Sequence, residues 1–154
     1  MAATTYEDVL ESVKLTIEQA RSHEEAMLQT VNILKSQMSN YSWVGIYLLD
    51  GEELVLGPFL GKPSLHTRIP LNKGICGAAA LHKQTIVVDD VDADPRYLAC
   101  SLETRSEIVV PILRGTEVLG EIDIDSDKKA AFGAPDRELL ESIAALLARK
   151  FPRQ

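Results

Sequence analysis

Apolar residues recur every three or four positions from Tyr6 to Ala20, with Leu10, Val13 and Ile17 on one stripe. This spacing predicts an amphipathic helix N-capped by Thr5. Ser22 followed by Glu25 reads as a capping box opening a second helix through Met38. The period then changes. WVGIYLLD (43–50) and ELVLGPF (53–59) are strand-like runs joined by Asp50-Gly51, a hairpin signal. A short strand is expected at 66–71, a helix of small residues from Gly74 to Lys83, and another strand at 85–90. After a loop of about fifteen residues, long for a compact domain, SEIVVPIL (106–113) and TEVLGEIDIDS (116–126) form a hairpin around Arg114-Gly115. A final helix starts at Pro135-Asp136 and runs through Lys150, with Leu139, Leu140, Ile143, Leu146 and Leu147 facing inward.

Helices at both ends of a series of hairpin-joined strands predict an α+β fold with a mostly antiparallel central sheet. Several strands are apolar on both faces, so helices should cover at least part of the sheet. No linker or internal repeat interrupts the chain, and residues 1–154 read as a single domain.

Charge narrows the function. Acidic residues outnumber basic ones 23 to 16, a formal net charge of -7, with no Lys/Arg stripe to attract a phosphate backbone. Nucleic acid is not an expected partner. Apolar runs fall far short of the ~20 residues that span a bilayer, and the N-terminus lacks a signal-peptide pattern. A cytoplasmic protein without membrane contact is expected.

The candidate chemistry lies in three stretches: GICGAAALHK, DPRYLACSLETRSE and EIDIDS. Cys76 stands among glycines at the start of a predicted helix, whose N-terminal N–H groups would favour a thiolate. It reads equally as a small residue in a tight turn. Cys100 lies in the long loop, where binding residues concentrate, and reads as a nucleophile or as a buried free thiol. The cysteine spacing and the scattered His23, His66 and His82 match no zinc signature, so no metal is expected. Asp123 and Asp125 alternate with Ile122 and Ile124 and share one strand face; Glu107 begins the neighbouring strand. They read either as a solvated face or as a cluster that attracts a cationic group. Trp43, the single tryptophan, fits a core position or the wall of a small-ligand pocket.

The order SEIVVPI, hairpin, LGEIDIDS, Phe132-x-x-x-Asp136 and final helix resembles a GAF domain across essentially the whole chain. Within that class, WVGIYLL, LGPFLGK, RIPLNKGICG, LAC, SEIVVP and DIDS resemble the free methionine-(R)-sulfoxide reductases. The resemblance implies a GAF-like fold and reduction of free L-methionine-(R)-sulfoxide, with no bound cofactor and with thioredoxin or another dithiol as reductant. It assigns the catalytic cysteine to Cys100 and a partner cysteine to Cys76. It assigns substrate binding to Trp43, Glu107, Asp123 and Asp125. The family often carries a third cysteine before the RIP motif; here that stretch is Pro63-Ser64-Leu65-His66. A non-catalytic GAF module that binds a small ligand is the alternative, and the terminal helices are compatible with a homodimer.

Overall fold

The computed structural model describes residues 4–98 and 102–153. Cys100 therefore lies outside the described residues. The elements are α1 (Tyr6–Gln19), α2 (His23–Gln37), β1 (Trp43–Asp50), β2 (Glu53–Leu60), β3 (Arg68–Pro70), α3 (Gly74–His82), β4 (Ile86–Val88), β5 (Ser106–Arg114), β6 (Glu117–Ser126) and α4 (Ala134–Lys150). The strands form one six-stranded sheet in the order β3-β2-β1-β6-β5-β4, with every neighbouring pair antiparallel. No helix among the described residues is long and apolar enough to cross a membrane.

The two-residue side-chain period of the strands separates two cores. Val44, Ile46, Ile108, Val110, Ile112, Ile122 and Ile124 pack against α1, α2 and α4. Each fully buried Ile or Leu there contributes about 1.5–3 kcal/mol. Trp43, Tyr47, Val109 and Val88 face the opposite side, where Ile75, Cys76, Ala79 and Ala80 of α3 cover them. The expected α+β architecture is thus present, with helices over both sheet faces.

Local rules place most boundaries. Thr5 caps α1 reciprocally: its Oγ1 accepts from Asp8 N and its own N–H donates to Asp8 Oδ2, each at 3.1 Å. At α2 the expected capping box is only half formed. Ser22 Oγ accepts from Glu25 N at 3.1 Å, but the Glu25 carboxylate takes the Arg21 N–H at 2.6 Å instead of that of Ser22. At α4, Asp136 Oδ2 accepts from Gly133 N at 2.9 Å while its Oδ1 accepts from the buried Tyr41 hydroxyl at 2.7 Å. That carboxylate fixes the start of the last helix against the start of the sheet.

The two edge strands are shorter than the expected 66–71 and 85–90. His66 N donates to Ser64 Oγ at 3.0 Å in a local turn that competes with strand pairing, and Pro70 has no N–H to continue a ladder. Beyond Val88, the Asp90 side chain accepts from Asp92 N and caps a 3₁₀ turn, Val91–Ala93, inside the stretch expected to be loop.

Candidate active site

Strand alternation brings the acids together. On β6, Ile122 and Ile124 point into the larger core, so Glu121, Asp123 and Asp125 point to the α3 side. In the sheet register Asp125 stands opposite both Glu107 on β5 and Trp43 on β1, while Asp123 stands opposite Gly45 and Val109. The reading of a solvated strand face is overturned. Glu107, Asp123 and Asp125 are 5%, 3% and 5% exposed, and Glu121 is 0% exposed.

Glu121 was missed in the sequence, although its signal was there. It lies two residues before Asp123 in the same alternating run and must share its face.

Four buried carboxyl groups on adjacent strands cannot all ionise without a counter-charge. None of the salt bridges among the described residues involves them. Burial pushes Glu107 well above the ordinary carboxyl range, and the neighbouring Asp123 and Asp125 push it further. Burial does the same to Asp125 and to Glu121, in each case with Asp123 adding to the rise. Asp123 is raised by burial as well, but hydrogen bonds from Glu107 and Cys76 pull it back. Asp123 is therefore the acceptor at the centre of the cluster, and burial favours the protonated form of its neighbours. Oδ1 of Asp123 and Oδ1 of Asp125 have no hydrogen-bond partner among the described residues.

Cys76 occupies the first turn of α3 and is 6% exposed, packed in the smaller core as the small-residue reading has it. The other reading, a thiolate favoured by the helix N-terminus, meets opposing electrostatics. Burial raises its pKa first, and Asp123, Glu121 and Glu107 raise it further. Its Sγ donates to Asp123 Oδ2 at 3.4 Å. Nearby negative groups and loss of water outweigh the partial charge of one helix end, which is worth at most ~2 kcal/mol.

Trp43 walls the outer side. Its indole stacks on Phe59 with ring centroids 5.7 Å apart, and its Nε1–H donates to Lys62 O at 3.0 Å. The ring lies along its own strand because Gly45 has no side chain: a Cβ there would stand 2.3 Å from Trp43 Cη2. Gly74, at φ +73°, opens α3 close beneath Leu98, where a Cβ would meet Leu98 Cδ1 at 2.9 Å.

Two spaces adjoin the cluster. One, of about 100 Å³, is lined by Trp43, Lys62, Ser64, Glu103, Thr104 and Asp125. The other, of about 10 Å³, lies between Tyr47, Cys76, Leu98, Glu107 and Asp123. The smaller one has room for about one water molecule or ion. The structure thus gathers Cys76, Glu107, Asp123, Asp125 and Trp43 into one region, and adds Glu121 behind them.

The GAF domain family model matches residues 22–151. A free methionine-R-sulfoxide reductase of Escherichia coli is 34% identical over 123 residues, covering 80% of this chain and 74% of that protein. One of Saccharomyces cerevisiae is 43% identical over 117 residues, covering 73% of this chain and 64% of its own length. The structure of a free methionine-R-sulfoxide reductase from Neisseria meningitidis in complex with its substrate superimposes with a TM-score of 0.91 at 38% identity, over 97% of this chain and 89% of that one.

Proposed function

Because this chain belongs to the GAF-domain family and, within it, to the free methionine-R-sulfoxide reductases, we propose that its acidic cluster binds and protonates free L-methionine-(R)-sulfoxide for reduction at Cys100. One observation supports this reading: buried carboxyl groups gather on one sheet face beside two small spaces and leave Oδ1 of Asp123 and Oδ1 of Asp125 unpartnered among the described residues. Such a site asks for a cation with several N–H donors, and the ammonium group of a free amino acid meets that demand.

The roles divide by electrostatics. Asp123, the acceptor at the centre, receives the substrate ammonium, with Asp125 beside it. Glu107, held protonated by burial and by two acidic neighbours, is the donor to the sulfoxide oxygen. Trp43, stacked and anchored, packs the methyl-thioether end.

The Cys100 thiolate attacks the sulfoxide sulfur while a carboxyl proton passes to the oxygen. The hydroxyl then transfers to the cysteine sulfur, methionine leaves, and Cys100 is a sulfenic acid. Two electrons have passed from the cysteine sulfur to the methionine sulfur. A second thiol condenses with the sulfenic acid, releasing water and forming a disulfide. Cys76 is the internal candidate, but burial and three acids keep it protonated. That favours direct recycling of Cys100 by an external dithiol of the thioredoxin type.

Methionine release from the free R-sulfoxide, measured in a single turnover without reductant, tests the assignment. Cys100→Ser is expected to release none. Normal release by that variant overturns the mechanism.

A further inference from the structure

Sγ of Cys76 and one carboxylate oxygen each of Glu107 and Asp123 all lie within 4.8 Å of one another, and all three residues are buried. Cys76 Sγ and Asp123 Oδ2 are 3.4 Å apart. Tetrahedral zinc, with Zn–S near ~2.3 Å and Zn–O near ~2.1 Å, requires ligand atoms roughly 3.4–3.8 Å apart. The trio therefore needs a contraction of at most about an ångström at any contact, within reach of side-chain rotation.

Two further observations point to a cation. Asp123, which lines the cavity and is 3% exposed, has no hydrogen-bond partner for its Oδ1 among the described residues. The cavity between Cys76, Glu107 and Asp123, about 10 Å³, also matches a single ion with at most one water and is far too small for an amino acid.

The geometry points to a binding site for a borderline divalent cation, zinc above all, held by Cys76, Glu107 and Asp123. One thiolate and two carboxylates suit zinc and cobalt, whereas magnesium and calcium take oxygen-only sets. A doubly charged ion inverts the local electrostatics, because it stabilises the anionic forms that the acids otherwise disfavour in one another. Binding releases the Cys76 thiol proton and the Glu107 carboxyl proton to solvent and leaves no net oxidation or reduction. No cysteine or histidine spacing signals this site, since its ligands come from α3, β5 and β6.

The site shares Glu107 and Asp123 with the proposed amino-acid site. On that reading, zinc and substrate exclude each other, and zinc is an inhibitor competitive with free methionine sulfoxide. The ion site itself does not depend on that reading.

Cobalt(II) is the probe, in reduced Cys100→Ser protein where Cys76 is the only thiol. A near-ultraviolet thiolate-to-cobalt charge-transfer band is expected, saturating at one equivalent and abolished by zinc. Introducing Asp123→Asn or Glu107→Gln should weaken the apparent cobalt affinity by about tenfold or more. No band, or an affinity unchanged by both substitutions, overturns the site. Free methionine, added to the cobalt form, should displace the ion if the amino acid shares its ligands. A band that free methionine leaves untouched retains the ion site and overturns only the competition.

Discussion

Glu107 on β5 stands directly opposite Asp125 on β6, and both buried carboxyl groups are pushed up by burial and by Asp123, two residues along β6. The pairing places like charges where a sheet ordinarily places opposite ones, which is unfavourable unless protons are retained.

Retained protons make stability depend on pH. Below about 4.5, the ordinary value for Glu107, folded and unfolded chains both hold its proton. Above that, the folded state binds more protons than the unfolded state, so stability falls as pH rises toward the raised folded value. Each such proton gives a slope of ~1.4 kcal/mol per pH unit. The ligand-free protein should therefore lose thermal stability as pH rises above about 5. Glu107→Gln should make the slope shallower, and melting curves across that range check it; an unchanged slope counts against the coupling.

Glu121 carries the same burden, with the Cys76 thiol beside it. Replacing it by an apolar residue of similar size removes the cost of burying a carboxyl group. Glu121→Leu should stabilise the fold by about 1–3 kcal/mol, read from the denaturant midpoint at neutral pH. A loss of stability would mean that Glu121 has a compensating partner.

Cys76 should be a sluggish thiol. In Cys100→Ser protein, alkylation by iodoacetamide at neutral pH is expected to be more than about tenfold slower than for free cysteine, and to reach the ordinary rate on unfolding. Fast alkylation of the folded protein would show that the helix N-terminus prevails over the acids.

Gly45 reserves the place of the Trp43 ring. Gly45→Ala puts a methyl group 2.3 Å from Cη2, so the indole must leave its stack on Phe59. The expected cost is about 1–3 kcal/mol. The single tryptophan reports it as a shift in emission. Under the proposed function, KM for the free sulfoxide rises more than kcat falls.

The order of elements was legible because each depends on near neighbours. The stripe Leu10, Val13, Ile17, the cap at Thr5 and the turn at Asp50-Gly51 act over one or two turns of chain. The edge strands were overread because local turns at Ser64 and Asp90 compete with pairing, and an edge strand has only one partner to hold it.

The alternation of EIDIDS by itself determined that Asp123 and Asp125, and with them Glu121, share a face, because the strand period is a property of the backbone. The sequence also determined that the isoleucines between them would seek a core. Whether the acidic face met water or protein was decided only by the tertiary structure, through α3 closing over it. That same closure turned Cys76 from a thiol at a helix start into one surrounded by acids. Charges from three separate elements act together there in the absence of water, and no local spacing along the chain encodes that sum.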